Sequence, residues 1–202
     1  MKITSIKQQV KRAGRYSIFV EGRYAFSLSA ASLLDNKLSV GQDLSRQQVR
    51  ELEQASSDDK LYNNVLRYLA IRSRSNWEVE TYLQRKGASP TLSETILNKL
   101  SNANLLDDTK FAEAFVSDRR LLRSPSRRKL IQELRQKHVA DDIIQAAVGN
   151  EAEDEQAALR KVIERKRRQS KYRDDLKLMQ YLAGQGFNYG DIKAALADDP
   201  TT

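Results

Sequence analysis

The stretch RRLLRSPSRRKLIQELRQKH, Arg119 to His138, gathers eight lysines and arginines around a single carboxylate, Glu133. Arginine presents a planar fork of donors that pairs with phosphate or carboxylate, so such a run suits the holding of an anion. The arginines at stake here are Arg119, Arg120, Arg123, Arg127 and Arg128. A second dense run follows at Arg165, Lys166, Arg167, Arg168, Lys171 and Arg173, and a sparser one precedes at Arg72 and Arg74. Neutralising several phosphates at once releases condensed counterions, which supplies most of the affinity for a polyanion. A plainer reading competes: long cations coat exposed helix ends, where they complement the helix dipole. For any single arginine both readings stay open.

Bond-making chemistry has little to work with. The chain has no cysteine, which removes thiolate nucleophiles, disulfides and zinc ribbons. His138 is the one histidine, and no nucleophile or acid partner for it stands out. Neither a GxxxxGK[ST] loop nor GxGxxG occurs. Asp107-Asp108 suggests a nuclease metal pair, but no third carboxylate follows at metal-site spacing, so Asp108 reads as a helix N-cap with a neighbour. The expectation is a non-enzyme with no catalytic residue, no metal and no cofactor. A net charge of +8 and a pI near 9.6 favour an anionic partner, nucleic acid first. No apolar run approaches the ~18 residues of a membrane span, and MKITSIKQQVKRAGRYS lacks the apolar core of a signal peptide. A cytoplasmic protein with no membrane contact is expected.

Something must position these cations, and the pattern of apolar residues says what. In RYSIFVEGRYAFSLS, Tyr16, Ile18 and Val20 alternate, as do Tyr24, Phe26 and Leu28, which predicts two strands turning at Glu21-Gly22. A two-residue loop would place the two sets on opposite faces, so a loop of odd length is expected. KITSIKQQV offers a third strand, and SAASLLDNKL and SRQQVRELEQAS offer helices to cover the sheet.

From Asp58 onward the periodicity is helical and repeats about every fifty residues. ETYLQRKG ends at Gly87, IQELRQKH at His138 and MQYLAGQG at Gly186, aligning Leu83, Leu134 and Leu182 as core positions. A helix precedes each segment (Leu61/Val65/Leu69, Phe111/Phe115, Leu159/Ile163), and another follows (Ile96/Leu100, Ile143/Ile144/Val148, Ile192/Leu196). Gly87 and Gly186 suit left-handed helix ends, His138 occupies the same slot, and Ser75 and Ser126 suit N-caps. Trp77 reads as a packing residue within or between repeats, and Tyr62, Tyr68 and Tyr82 as core. The acidic run EAEDE, Glu151 to Glu155, reads as anions at a helix N-terminus. The fold class is therefore mainly α: three tandem three-helix repeats in an elongated curved rod, with a small N-terminal antiparallel β-sheet. The boundaries are 1–57 for the sheet and its helices, then 58–106, 107–149 and 150–202 for the repeats. The basic residues fall at the junction of first and second helices in each repeat, so stacking would line them up as a track.

Three segments carry a resemblance: LRYLAIRSRSNWEVETYLQRKG, LSNANLLDDTKFAEAFVSDRR and YLAGQGFNYGDIKAAL. They resemble the RecX family, regulators of the bacterial recombinase RecA, over Asp58 to about Ala197. The element L-x-D-D-x-x-F-A at Leu105–Ala112 is its most specific piece. RYSIFVEGRYAFSLSAASLL resembles the N-terminal extension of longer members, and QKHVADDI departs from their usual Lys-Gly. The resemblance implies a monomeric, non-enzymatic modulator of DNA recombination, repair and the SOS response. It would lie in the groove of the RecA–single-stranded DNA filament and limit filament growth, ATP turnover and strand exchange. DNA contact would be direct or through the filament. The junction cations would then face an acidic protein wall or phosphates. The alternative from another class is a stand-alone helical-repeat protein that binds nucleic acid.

Overall fold

A computed structural model describes residues 1–10, 14–149 and 152–198. It separates into two compact units: Met1–Arg72 with Thr81–Asn98, and Ser73–Glu80 with Lys99–Thr202.

In the first unit, β1 (Ile3–Gln8), β2 (Arg15–Val20) and β3 (Arg23–Ser29) form an antiparallel sheet in the order β1-β2-β3. The turn between β2 and β3 has two residues, Glu21 at φ 50° and Gly22 at φ 76°, both left-handed as a tight hairpin requires. The expected odd loop is replaced by a bulge. Ile18 pairs with Phe26 while Phe19 pairs with Tyr24, leaving Ala25 as the extra residue. That insertion turns Phe26 and Leu28 to the side of Ile18 and Val20, and all four are buried. Tyr24 does not join them; it lies 58% exposed, edge-on to Phe19.

Helix α1 (Ala30–Asp35) follows, capped by Ser29, and then α2 (Arg46–Ile71), capped by Ser45 in a reciprocal box with Gln48. Val49 and Leu52 of α2 close the core beneath the sheet, together with Ile3 and Leu44. The helix continues unbroken past residues 57 and 58 to a fully buried Val65. Arg15, buried at the sheet, donates to Ser27 Oγ (2.9 Å) and pairs with Asp59 of α2 (2.9 Å). Asp59 also accepts from Ser29 N–H and Ser32 Oγ at 3.1 Å, so this low-dielectric pair has its lone pairs satisfied. Tyr68 and Tyr82, only half-buried, stack with centroids 4.5 Å apart.

Helices α3 (Asn76–Arg85) and α4 (Pro90–Asn102) are shared between the units. The second unit continues with α5 (Asp108–Leu122), α6 (Arg127–Arg135) and α7 (Asp141–Val148). They close on Phe111, Val116, Leu130, Leu134, Ile144 and Val148. Next come α8 (Ala152–Arg167), a 3₁₀ turn at Ser170–Tyr172, α9 (Asp175–Gly184) and α10 (Tyr189–Ala197). These close on Leu159, Ile163, Leu178, Leu182, Phe187 and Ile192.

The repeat register is visible atom by atom. Leu83, Leu134 and Leu182 are each fully buried. Gly87, His138 and Gly186 have φ of 77°, 54° and 89°, the left-handed end that lets the chain turn back. In each case the next residue returns its N–H to that leucine's carbonyl: Ala88 to Leu83 at 3.1 Å, Val139 to Leu134 and Phe187 to Leu182 at 3.3 Å. One cap differs from expectation. Asp107, not Asp108, caps α5, accepting from Thr109 N–H (2.9 Å) and Lys110 N–H (3.2 Å). Asp108 is the first helical residue, and its carboxylate is used elsewhere.

Candidate functional site

The junctions are set by two joints built from the same groups. Ser75 and Ser126, both fully buried, sit before α3 and α6. Ser75 Oγ accepts from Glu78 N–H (3.3 Å) and donates to the Lys137 carbonyl at the end of α6 (2.9 Å). Ser126 Oγ accepts from Lys129 N–H (3.1 Å) and donates to the Gln185 carbonyl at the end of α9 (2.7 Å). The adjacent N–H groups are closed from the same direction. Asn76 N–H meets Asp108 of α5 (2.8 Å), and Arg127 N–H meets Glu155 of α8 (2.7 Å). Each serine thus caps its own helix and holds the following repeat, while a carboxylate of that repeat caps it in return.

Burial pushes both carboxyl groups up in pKa. At Asp108, burial outweighs the hydrogen bonds from Asn76, with the Asp107 charge adding to it. At Glu155, burial outweighs the Arg127 N–H bond and the Arg127 and Arg120 charges, and Asp191 pushes the same way as burial. Glu151 lies outside the described residues, and Glu155 of EAEDE caps the Arg127 N–H. Asp107, by contrast, is held below its ordinary value by the Lys110 N–H.

The first joint has two further contacts. Lys137 Nζ pairs with the buried Glu78 (2.8 Å), and Trp77 stacks on His138 with centroids 4.4 Å apart and planes 17° apart. Trp77 is therefore a packing residue between repeats, 36% exposed. The second joint leaves no such room: a Cβ on Gly186 would stand 2.7 Å from Ser126 Oγ.

The sequence-flagged cations divide by what they touch. Arg74 is nearly buried, 4.0 Å from Glu78. Arg119 pairs with Glu133 (2.8 Å) over the Phe115 ring. Arg120 donates to the Val148 carbonyl (2.7 Å), and Arg127 to the Gly149 carbonyl (2.9 Å) and Gln145 (2.6 Å). Arg165 reaches across to the Leu122 (3.1 Å) and Arg123 (2.8 Å) carbonyls, bringing the second and third junctions together. Arg167, nearly buried, ties down the Tyr172 and Arg173 carbonyls and Asp175. Arg168 pairs with Glu164 on the surface (2.9 Å), where such a pair contributes little.

The remaining cations face outward. Arg72 is exposed at the end of α2 in the first unit. Arg123, Arg128, Lys171 and Arg173 are exposed in the second, with Lys171 over the Tyr172 ring at 5.5 Å. Between α6 and α7 runs an open groove lined by Arg127, Arg128, Ile131, Gln132, Arg135, Gln136 and Gln145. Guanidinium forks alternating with amides fit a sugar–phosphate chain without regard to base. Gln132, Gln136 and Gln145 were not flagged by sequence, because charge density does not reveal neutral donors, and Arg135 pairs with Asp141 of α7 at 2.8 Å. Among the described residues no cluster of carboxylates, histidines or cysteines is arranged to hold a metal ion. No helix of the described residues is long and apolar enough to cross a membrane.

Three-helix modules joined at their helix ends, with outward cations at the junctions, define a helical-repeat protein. Family models match in four stretches along the chain. They match as the regulatory protein RecX N-terminal domain at 1–45 and the first, second and third RecX three-helix domains at 62–100, 107–148 and 153–196. The chain belongs to the RecX family of regulatory proteins, which are not enzymes. It is 32% identical to the regulatory protein RecX of Halalkalibacterium halodurans over 207 residues, covering 98% of this chain and 78% of that one. The Lactobacillus johnsonii RecX is 37% identical over 154 residues, 76% of this chain but only 56% of the relative's length. A crystal structure of a regulatory protein RecX superposes with a TM-score of 0.74 at 27% identity, covering 98% of this chain and 99% of that one.

Proposed function

We propose that this protein regulates the RecA recombinase by lying in the groove of the RecA–single-stranded DNA filament, limiting filament growth, ATP turnover and strand exchange. Family membership along the chain supports regulation of RecA. The observation that carries the contact is the set of outward cations, Arg123, Arg128, Lys171 and Arg173, on a unit where Arg120, Arg127, Arg165 and Arg167 tie down helix-end carbonyls. Charges held ready on a pre-organised frame meet phosphates or acidic side chains with little ordering cost. It acts in the cytoplasm, as a monomer, and turns over no substrate.

The test is ATP hydrolysis by RecA-coated single-stranded DNA as the protein is titrated in. Inhibition near stoichiometric protein is expected, and its absence refutes the proposal. The α6–α7 groove supports a second reading, because its exposed Arg128 and the Gln132 and Gln136 amides would hold a nucleic-acid strand with no filament present. Tight, salt-sensitive binding to bare DNA without an effect on RecA would favour it.

A further inference from the structure

We propose that the tip of α5, Leu121-Leu122-Arg123, together with Arg128 at the start of α6, docks on protein and not on nucleic acid. Its partner surface is an apolar depression rimmed by carboxylates on the recombinase filament; this rests on the proposed function. Leu121 is 83% exposed and Leu122 67% exposed, although α5 has already buried Phe111, Ala112 and Val116 in its own core. Two consecutive aliphatic side chains therefore stand in water for no internal reason. Arg123 follows them directly and Arg128 stands in the first turn of α6, both exposed and without an ion pair or side-chain hydrogen bond among the described residues.

The backbone beneath this tip is held firmly. Arg165 occupies the Leu122 and Arg123 carbonyls, Ser124 returns its N–H to Arg119 (3.1 Å), and Ser124, Pro125 and Ser126 are buried. A fixed apolar pair with arginines next to it in the chain matches the make-up of protein–protein anchor sites, where the anchor fills a pocket and charges sit at the rim. Phosphates reward the arginines alone, and unpaired bases stack on flat rings, not on branched aliphatics.

The third junction offers the contrast. It exposes a single leucine, Leu176 at 71% on the first turn of α9, in place of a consecutive pair, and sets Lys166 and Lys171 over the Tyr172 ring at 5.1 and 5.5 Å. The end of α2, in the first unit, repeats the apolar-then-cation order, with Ile71 77% exposed before an exposed Arg72.

The test is the charge-neutral double variant Leu121→Ser/Leu122→Ser in the full chain. Circular dichroism and thermal unfolding should match wild type, since neither side chain is packed. Binding to RecA-coated single-stranded DNA should weaken roughly tenfold or more, as expected for losing a desolvated anchor. Binding to bare single-stranded DNA, read by fluorescence anisotropy, should not change. Equal losses on both ligands would make the tip a nucleic-acid contact and overturn the proposal, as would no loss on either. If wild type itself fails to bind and inhibit the filament, the functional reading falls and takes this one with it. If wild type inhibits and the variant inhibits equally, only the docking site is wrong. Arg123→Gln/Arg128→Gln serves as an independent variant: it should also weaken filament binding, and an unchanged filament affinity would contradict the rimmed pocket.

Discussion

Alanine at the two glycines that end α3 and α9 should cost very different amounts. Gly87 and Gly186 share a left-handed φ, 77° and 89°, so each substitution carries the same backbone penalty, roughly 1–2 kcal/mol. At Gly87 nothing lies within 4 Å of the new methyl, and the cost should stop there. At Gly186 the methyl would stand 2.7 Å from Ser126 Oγ and 3.5 Å from the Lys129 nitrogen. The hydroxyl cannot yield without losing its bond to the Gln185 carbonyl and its cap on α6. Those losses overlap and together add ~1–3 kcal/mol. Gly186→Ala should therefore destabilise by ~2–5 kcal/mol and Gly87→Ala by about half that.

Urea unfolding followed by circular dichroism measures both, and native-state hydrogen exchange at the Lys129 amide shows whether the loss sits at the joint. His138 supplies the third member of the series. His138→Gly relieves left-handed strain but gives up the stack on Trp77, worth ~0.5–1.5 kcal/mol, so it should be nearly neutral. A double-mutant cycle completes the argument. Ser126→Ala removes the obstructing hydroxyl, so Gly186→Ala should cost ~1 kcal/mol or more less in its presence. Equal costs at Gly87 and Gly186, or strict additivity in the cycle, would refute the joint as described.

Other outcomes follow from the same geometry. Leu134→Ala and Leu182→Ala should each cost ~2–5 kcal/mol by urea unfolding, because each empties a fully enclosed site. The Glu155 carboxyl has a folded-state pKa raised above its ordinary 4.5, so the folded state binds more protons between those values. Stability from this group is then present at low pH and lost as pH rises through that window. Glu155→Gln keeps an acceptor for Arg127 N–H without the buried charge, so its stability relative to wild type should rise with pH from about 4.5 upward. Arg127→Ala should destabilise the protein by about 1 kcal/mol through the Gly149 and Gln145 bonds, whereas Arg123→Ala should leave the melting temperature unchanged. A charge-reversal test of binding is therefore cleaner on Arg123, Arg128 and Arg173 than on any set that includes Arg127.

The repeats were legible because each must bury one helix face and then turn sharply, and both needs mark the sequence. Leu83, Leu134 and Leu182 recur with a left-handed residue four positions on, and the structure places all three at full burial. The hairpin register was half-legible. Alternation located the strands, but the bulge at Ile18/Phe19 does the work assigned to a longer loop, and nothing in Tyr24-Ala25-Phe26 announces the extra residue. Asp107 and Asp108 were indistinguishable as caps from composition. A residue thirty-two positions away decided between them, since Asn76 draws Asp108 into the joint. Ser75 and Ser126 were readable as caps because capping is local. Their second bonds, to carbonyls 62 and 59 residues onward, depend on how repeats stack and leave no local trace.

The density of arginine in the junctions has two causes, and one substitution can separate them. Short helices multiply helix ends, and every end leaves carbonyls without intrahelical partners. Arg120, Arg127, Arg165 and Arg167 each direct a guanidinium onto such carbonyls, and Arg165 holds two of them, Leu122 and Arg123, in one fork. Lysine carries the same charge but cannot span two acceptors with a rigid plane. Arg165→Lys should therefore lower stability by ~0.5–1 kcal/mol, the net worth of an exposed hydrogen bond, while the salt dependence of filament binding stays the same. Arg128→Lys should change neither, because no described carbonyl or carboxylate depends on its fork. A fall in the salt slope with Arg165→Lys would show that this arginine meets the polyanion directly. An unchanged stability would show that the junction carbonyls do not need it, and the case for arginine over lysine at this position would then have to rest on binding alone.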